Sequence, residues 1–242
     1  MKKGLFRCFQ SKKELIDKLI SSQRGDFDKR TPRDLRDVFK LDFRKASELA
    51  PFSILESSTE RLSHDQQDFL KNLIAAYNST LPSPHKLSKS FEAYSGADTY
   101  KHSLIETFLR GVVIVGYQEG VEVHKNYRVN LPGNKEGHSE YVITLADVPR
   151  VVARVAVKKD WRIRGSPLEF AFCSVVFEMY SHFWENPMWP IVGVISDVNS
   201  WIFLKYDGEE FSMSQKVYKL ALHDTAIYSL GIKFLNVLDS IK

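Results

Sequence analysis

VVARVAVKKDW, residues 151–161, is the stretch on which the reading of this chain turns. It begins as a β-branched apolar run and ends in two lysines, an aspartate and a tryptophan. Side chains on a strand alternate between faces. Val151, Ala153, Val155 and Val157 therefore share one face, and Val152, Arg154, Ala156 and Lys158 share the other. Two cations flanking a small alanine on an apolar strand call for a partner.

The preceding residues supply one. SEYVITL (139–145) reads as a strand and ADVPR (146–150) as a tight turn. A turn centred near Val148 sets Glu140 opposite Ala156, so Glu140, Arg154, Ala156 and Lys158 form one polar patch. A one-residue slip would move Glu140 to the other face. As a plain ion-pair cluster, such a patch contributes roughly 0.2–1 kcal/mol per cross-strand pair. Catalysis requires more than this.

Working outward, VEVHKNYRV (121–129) alternates as a strand and LPGNKEG (131–137) reads as a turn. HSLIETFLRGVVIVGY (102–117) starts as a helix. Its VVIV either extends that helix or begins a strand. Downstream, Pro167 opens a long apolar helix, LEFAFCSVVFEMYSHFW. IVGVIS (191–196) is a strand of the fully buried kind, and WIFLKY (201–206) is its hairpin partner, closed by Asp207-Gly208. From about Met213 the chain reads as helical again. The first hundred residues also read as helical, with start signals at Ser11/Glu14, Thr31-Pro32/Asp34 and Ser63/Gln66. Phe69, Leu73 and Tyr77 mark one buried helix face. Residues 78–89, rich in Pro and Ser, read as a loop. The expectation is an α/β protein: a helical basic region over 1–90 and a mixed-sheet core over 91–242.

Composition bounds the classes. The chain has 242 residues, 43% hydrophobic and 12% aromatic, enough for a folded core. Its net charge of +4 is uneven: residues 1–45 hold fourteen Lys/Arg against seven Asp/Glu. That asymmetry suits an anionic or protein partner for the N-terminal helices, or simply a solvated helical surface. Cys8 and Cys173 form no CxxC or Cys/His cluster, so zinc is not expected and a reducing compartment, nuclear or cytoplasmic, is. No run approaches the ~18 apolar residues of a membrane span, so no membrane partner is expected. GxSxG, P-loop and GxGxxG patterns are absent from the sequence.

From Tyr100 to Gly208 the chain resembles the PD-(D/E)XK nuclease superfamily, with its restriction-endonuclease-like fold. HSLIETFLRG resembles the first core helix. GHSEYVITL resembles the strand that usually reads PDYVI, and VARVAVKKDW the strand that usually reads VVEVKK. WPIVGVISDVNSWIFLKYDG resembles the strand and hairpin that often read YGILTDGxxWxF. The resemblance implies Glu140 as an acid, Lys158 as the motif lysine, and Glu106 as a helix carboxylate. It implies Mg²⁺ held by Glu140 and Glu106 where the enzyme is active, since Mg²⁺ wants hard oxygen ligands.

Ala156 stands where the second acid of the motif belongs, and alanine ligates nothing. The pattern therefore points to a nucleic-acid-binding nuclease-fold protein that has lost, or been deprived of, hydrolysis. Two alternatives stay open. One is an active Mg²⁺-dependent nuclease whose carboxylate has migrated to Glu106, with Asp147 and Glu169 weaker substitutes. The other is a non-catalytic interaction scaffold. Lys159, Trp161, Arg162 and Arg164, with Arg154, are the candidate contacts to DNA or RNA, as phosphate-binding cations beside a stacking ring. The alternative for that run is an exposed loop. Trp184, Trp189 and Trp201 are expected in the core and His138 at the surface. Glu178 and Asp197 have no visible partner in the sequence.

Overall fold

The structure, a computed structural model, describes residues 30–52, 63–79, 96–116, 120–131, 135–156, 166–188, 190–198, 200–214, 217–219, 230–231 and 233–236, with Glu14, Asp17 and Phe27. Its centre is one mixed sheet. The strands are β1 (Ala50–Pro51), β2 (Val121–Leu131), β3 (Lys135–Leu145), β4 (Val148–Val155), β5 (Ile191–Ser196), β6 (Ser200–Tyr206), β7 (Phe211–Met213) and β8 (Tyr218–Lys219). Their spatial order is β1-β7-β6-β5-β4-β3-β2, with β8 on β6. Among the described strand pairs only β4–β5 and β1–β7 run parallel. The described helices that accompany them include α1 (Pro32–Phe39), α2 (His64–Ser79), α3 (Gly96–Gly116) and α4 (Pro167–Glu185).

The alternation along 151–156 sorts the core. Val151, Ala153 and Val155 pack with Leu104, Phe108 and Val112 of α3 and with Phe234 near the C-terminus. Val152 and Ala156 pack with Phe172, Val175 and Met179 of α4. The two helices thus cover opposite faces. A parallel pair such as β4–β5 needs a crossover, and α4 provides it. Gly193 on β5 lets α4 come close: a Cβ there would overlap Met179 Sδ and lie 3.3 Å from Val175 Cγ2.

The helix starts follow their caps. Thr31 Oγ1 accepts from Asp34 N at 3.3 Å while Asp34 Oδ2 accepts from Thr31 N at 2.8 Å. Ser63 and Gln66 make the same reciprocal pair. Ser166 caps α4 through Glu169 N. The Ser11/Glu14 cap lies outside the described residues.

One open alternative closes, and four expectations change. VVIV belongs to α3, where Val112 and Val113 are buried against the sheet. The β3–β4 turn is centred on Ala146 and Asp147, at φ 49° and 63°, rather than on Val148. That is the positive-φ pair of a two-residue hairpin. Past Met213 the chain first adds β8, and the described helical residues start at Leu230. Phe69 is 45% exposed, so it does not mark a buried face, and Trp184 is 43% exposed, whereas Trp201 is buried as expected. Trp189 and Cys8 lie outside the described residues. Among the described residues no helix is long and apolar enough to cross a membrane.

Candidate functional site

Strands β3 and β4 pair from Leu145/Val148 as far as Tyr141/Ala153, with a bulge between Ile143 and Thr144. Beyond Ala153 β4 stays with β5, as Val155 pairs with Ser196 and Ala156 N donates to Ser196 O at 2.7 Å. The Val155 N–H has no β3 carbonyl to meet. Glu140 Oε2 accepts from it at 2.7 Å. A side-chain carboxylate thus replaces a rung of the ladder where the strands part. A buried N–H left without an acceptor costs about 1–3 kcal/mol.

The register differs by two residues from the sequence expectation. Glu140 comes beside Arg154 rather than Ala156, with Arg154 Nε 3.4 Å from Glu140 Oε1. A two-residue shift preserves the face, so the acid and the cation still meet. The turn, which sits nearer β3 than ADVPR suggests, moves the pairing by three residues, and the bulge between Ile143 and Thr144 returns one.

The second partner comes from α4. Arg154 Nη1 donates a short hydrogen bond to Glu178 Oε1. Glu178 is fully buried and Arg154 is 5% exposed; the Glu140 side chain is 20% exposed. Glu178 and His182 are one turn apart and so share a helix face. His182 Nε2 pairs with Ser139 Oγ at 3.1 Å, while His182 Nδ1 and Glu178 Oε2 make no hydrogen bond among the described residues. Burial raises the Glu178 carboxyl above its usual range, opposed by the Arg154 charge and by nearby Ser139. Burial also lowers the His182 imidazole to about 4, which keeps it neutral at pH 7.

An exchange of faces brings Ser139 here. Before Asn126, Val123 and Lys125 of β2 look toward α3. After it, Tyr127 lies against His182 and Val129 against Phe177. Asn126 has φ 54°, and the pairs Lys125–Tyr141 and Tyr127–Ser139 bracket it. Period two fails at this point, so Ser139 and Glu140 both serve the α4 side.

The other expected residues fall elsewhere. Glu106 on α3 accepts from Lys125 at 2.9 Å and Arg110 at 3.1 Å. Burial pushes its carboxyl up, but these two cations outweigh that and hold it below the usual range. It lies across the sheet from Glu140, so the two cannot ligate one ion. Arg154 is buried and engaged by two acids, which removes it from the candidate nucleic-acid contacts. The Ala156 methyl is buried against α4. Asp147 occupies the hairpin turn that follows β3, whereas Glu140 lies in the middle of that strand, and Glu169 occupies the first turn of α4. Asp197 accepts from Ser200 N at 2.7 Å, closing the β5–β6 turn. His138 is exposed. Lys158, Lys159, Trp161, Arg162 and Arg164 lie outside the described residues.

Glu178, His182 and Ser139 escaped sequence reasoning. The available signal was a glutamate and a histidine at i, i+4 within a largely apolar helix. A Mg²⁺ ion does not fit this arrangement. The guanidinium of Arg154 already lies within bonding reach of both carboxylates, and Glu140 is further engaged by Val155 N. Among the described residues no group of three or more His, Cys, Asp or Glu forms a metal cluster. No family model matches the chain, and no curated protein or solved structure matches it either.

Proposed function

We propose that this chain is a nuclease-fold nucleic-acid-binding protein without hydrolytic activity, in which the cation between the acids is Arg154 rather than a metal. The observation that carries this reading is the bonding of Arg154 to both Glu140 and Glu178 at the end of β4. The order α3-β2-β3-β4-α4-β5, with β4 and β5 parallel and a helix on each face, supports the likeness to the restriction-endonuclease-like fold. The alternative of a carboxylate migrated to Glu106 loses support, because that residue serves the opposite face.

Binding is assigned to the run from Lys158 to Arg164. It joins the carboxyl end of β4, at Ala156, to the N-cap of α4, at Ser166. Ligands of open α/β sheets favour the carboxyl ends of parallel strands. The run holds four Lys/Arg, one Asp and Trp161. Such a segment binds phosphates by counterion release, with log K falling by roughly 0.9 per duplex phosphate for each unit of log salt.

Labelled duplex and single-stranded DNA and RNA, titrated at several salt concentrations, test this. The expected result is salt-sensitive binding with no cleavage in Mg²⁺ or Mn²⁺. Replacing Lys158, Lys159, Arg162 and Arg164 by glutamine should weaken binding and flatten the salt slope. Absence of binding at low salt overturns the nucleic-acid reading in favour of a protein-interaction scaffold. Metal-dependent cleavage by the unaltered chain overturns the non-catalytic part.

A further inference from the structure

A second concave site lies where α1, α4 and the β6–β7 hairpin meet, and it shares no residue with the Arg154 cluster. Four aromatic side chains close on one another there. Phe39 and Tyr180 have ring centroids 5.4 Å apart, Tyr180 and Tyr206 6.0 Å, Tyr206 and Phe211 4.3 Å, and Phe211 and Phe39 5.5 Å. All four line a cavity of about 360 Å³. That is near the lower end of ligand pockets, roughly 300–1,000 Å³, and suits a single side chain.

The remaining polar lining is acidic. Glu48 comes from the 3₁₀ turn Phe43–Glu48 before β1, and Glu209 and Glu210 from the β6–β7 turn. The side chain of Asp207 fixes that turn by accepting from both of their backbone N–H groups at 3.0 Å. All three glutamates are exposed, and none has an ion-pair partner among the described residues. Among the described residues that line the cavity there is no lysine or arginine. Burial and the nearby charge of Asp17 push the Tyr180 phenol up to about 12, so that ring stays neutral.

We infer that this cavity receives a lysine side chain, free or methylated, from a basic polypeptide segment. Aromatic faces carry negative potential and hold alkylammonium groups, most strongly when several rings surround the cation. Three carboxylates without a cation among the described residues are more than one ammonium requires. They match a segment in which further cations flank the inserted lysine. The apolar stem of the side chain fills the space between the rings, and the flanking cations meet Glu48, Glu209 and Glu210 at the rim.

Fluorescence anisotropy on the full chain tests this with a labelled glycine–serine peptide carrying one central lysine between two arginines. Parallel peptides carry trimethyllysine, or its neutral tert-butyl isostere, at the centre. The expected result is binding of both cationic peptides, with the neutral isostere about tenfold weaker. The variant Glu209→Gln/Glu210→Gln, exposed and isosteric, should bind both cationic peptides about tenfold more weakly with an unchanged melting temperature. Equal binding of the neutral isostere, or an unaffected glutamine variant, overturns the inference. So does choline binding as tightly as the peptides, which would mark a small-ammonium pocket instead.

Discussion

Arg154→Met tests the centre of the structural account. The substitution keeps most of the apolar stem and removes the guanidinium. Glu178, fully buried, then has no cation, and Glu140 loses one of its two partners. Removing one member of a buried pair costs about 3–5 kcal/mol, because the other charge stays behind. That is at least about a fifth of the roughly 5–15 kcal/mol that holds a typical domain folded. The orphaned acid escapes by taking up a proton, and burial already raises its pKa. With a folded pKa above the unfolded one, the native state binds more protons than the unfolded state, so stability falls as pH rises. Each unit by which the folded value exceeds the unfolded one is worth about 1.36 kcal/mol. The loss should therefore be largest near pH 8 and shrink toward pH 5. Urea unfolding of wild type, Arg154→Met and Arg154→Met/Glu178→Leu across that range measures it. The double variant should recover at least half of the loss and show a flatter pH profile. A single variant costing under about 1 kcal/mol at pH 8, or a double variant with no recovery, refutes the reasoning.

Further outcomes follow from neighbouring residues. His182 is held neutral down to about pH 4, against an ordinary value of 6.5. Its folded pKa is depressed, so stability falls as pH drops through that window, by at most about 3 kcal/mol; His182→Leu should lose this acid-side slope in urea melts. Gly193→Ala should destabilise by about 1–3 kcal/mol, because the new methyl meets Met179; Gly193→Ala/Met179→Ala should be less unstable than Met179→Ala and Gly193→Ala combined additively, a double-mutant cycle being the check. Ala156→Glu introduces a carboxylate at a buried position and should lower the melting temperature without creating Mg²⁺- or Mn²⁺-dependent cleavage, since Glu140 is already engaged by Arg154 and Val155. Cleavage by that variant would show the site to be one ligand short of activity.

The sheet was legible where physics leaves a strict period. Residues 151–156 alternate because each face meets a different helix, and the alternation placed Arg154 and Ala156 on one side. The register was not legible, because Ala146 adopts φ 49° in the turn, and alanine carries no turn signal. The short strands β1 and β8 bring too few residues for any pattern to show. Glu140 with Arg154 could be foreseen from neighbouring strands, but Glu178 could not. Its contact spans 24 residues and depends on how α4 seats over the sheet. Asn126 hides the role of Ser139 for a similar reason: a single positive φ reverses the faces, and composition does not announce it.

The cation that joins α4 to the parting strands is part of the polypeptide. A junction held by a divalent ion is loaded or empty according to supply, and a chelating agent strips it. A guanidinium stays protonated throughout the physiological range and never dissociates. The seam between helix and sheet is therefore charged from the moment it closes, in a one-to-one ratio set at translation, and fluctuations in cellular magnesium pass it by.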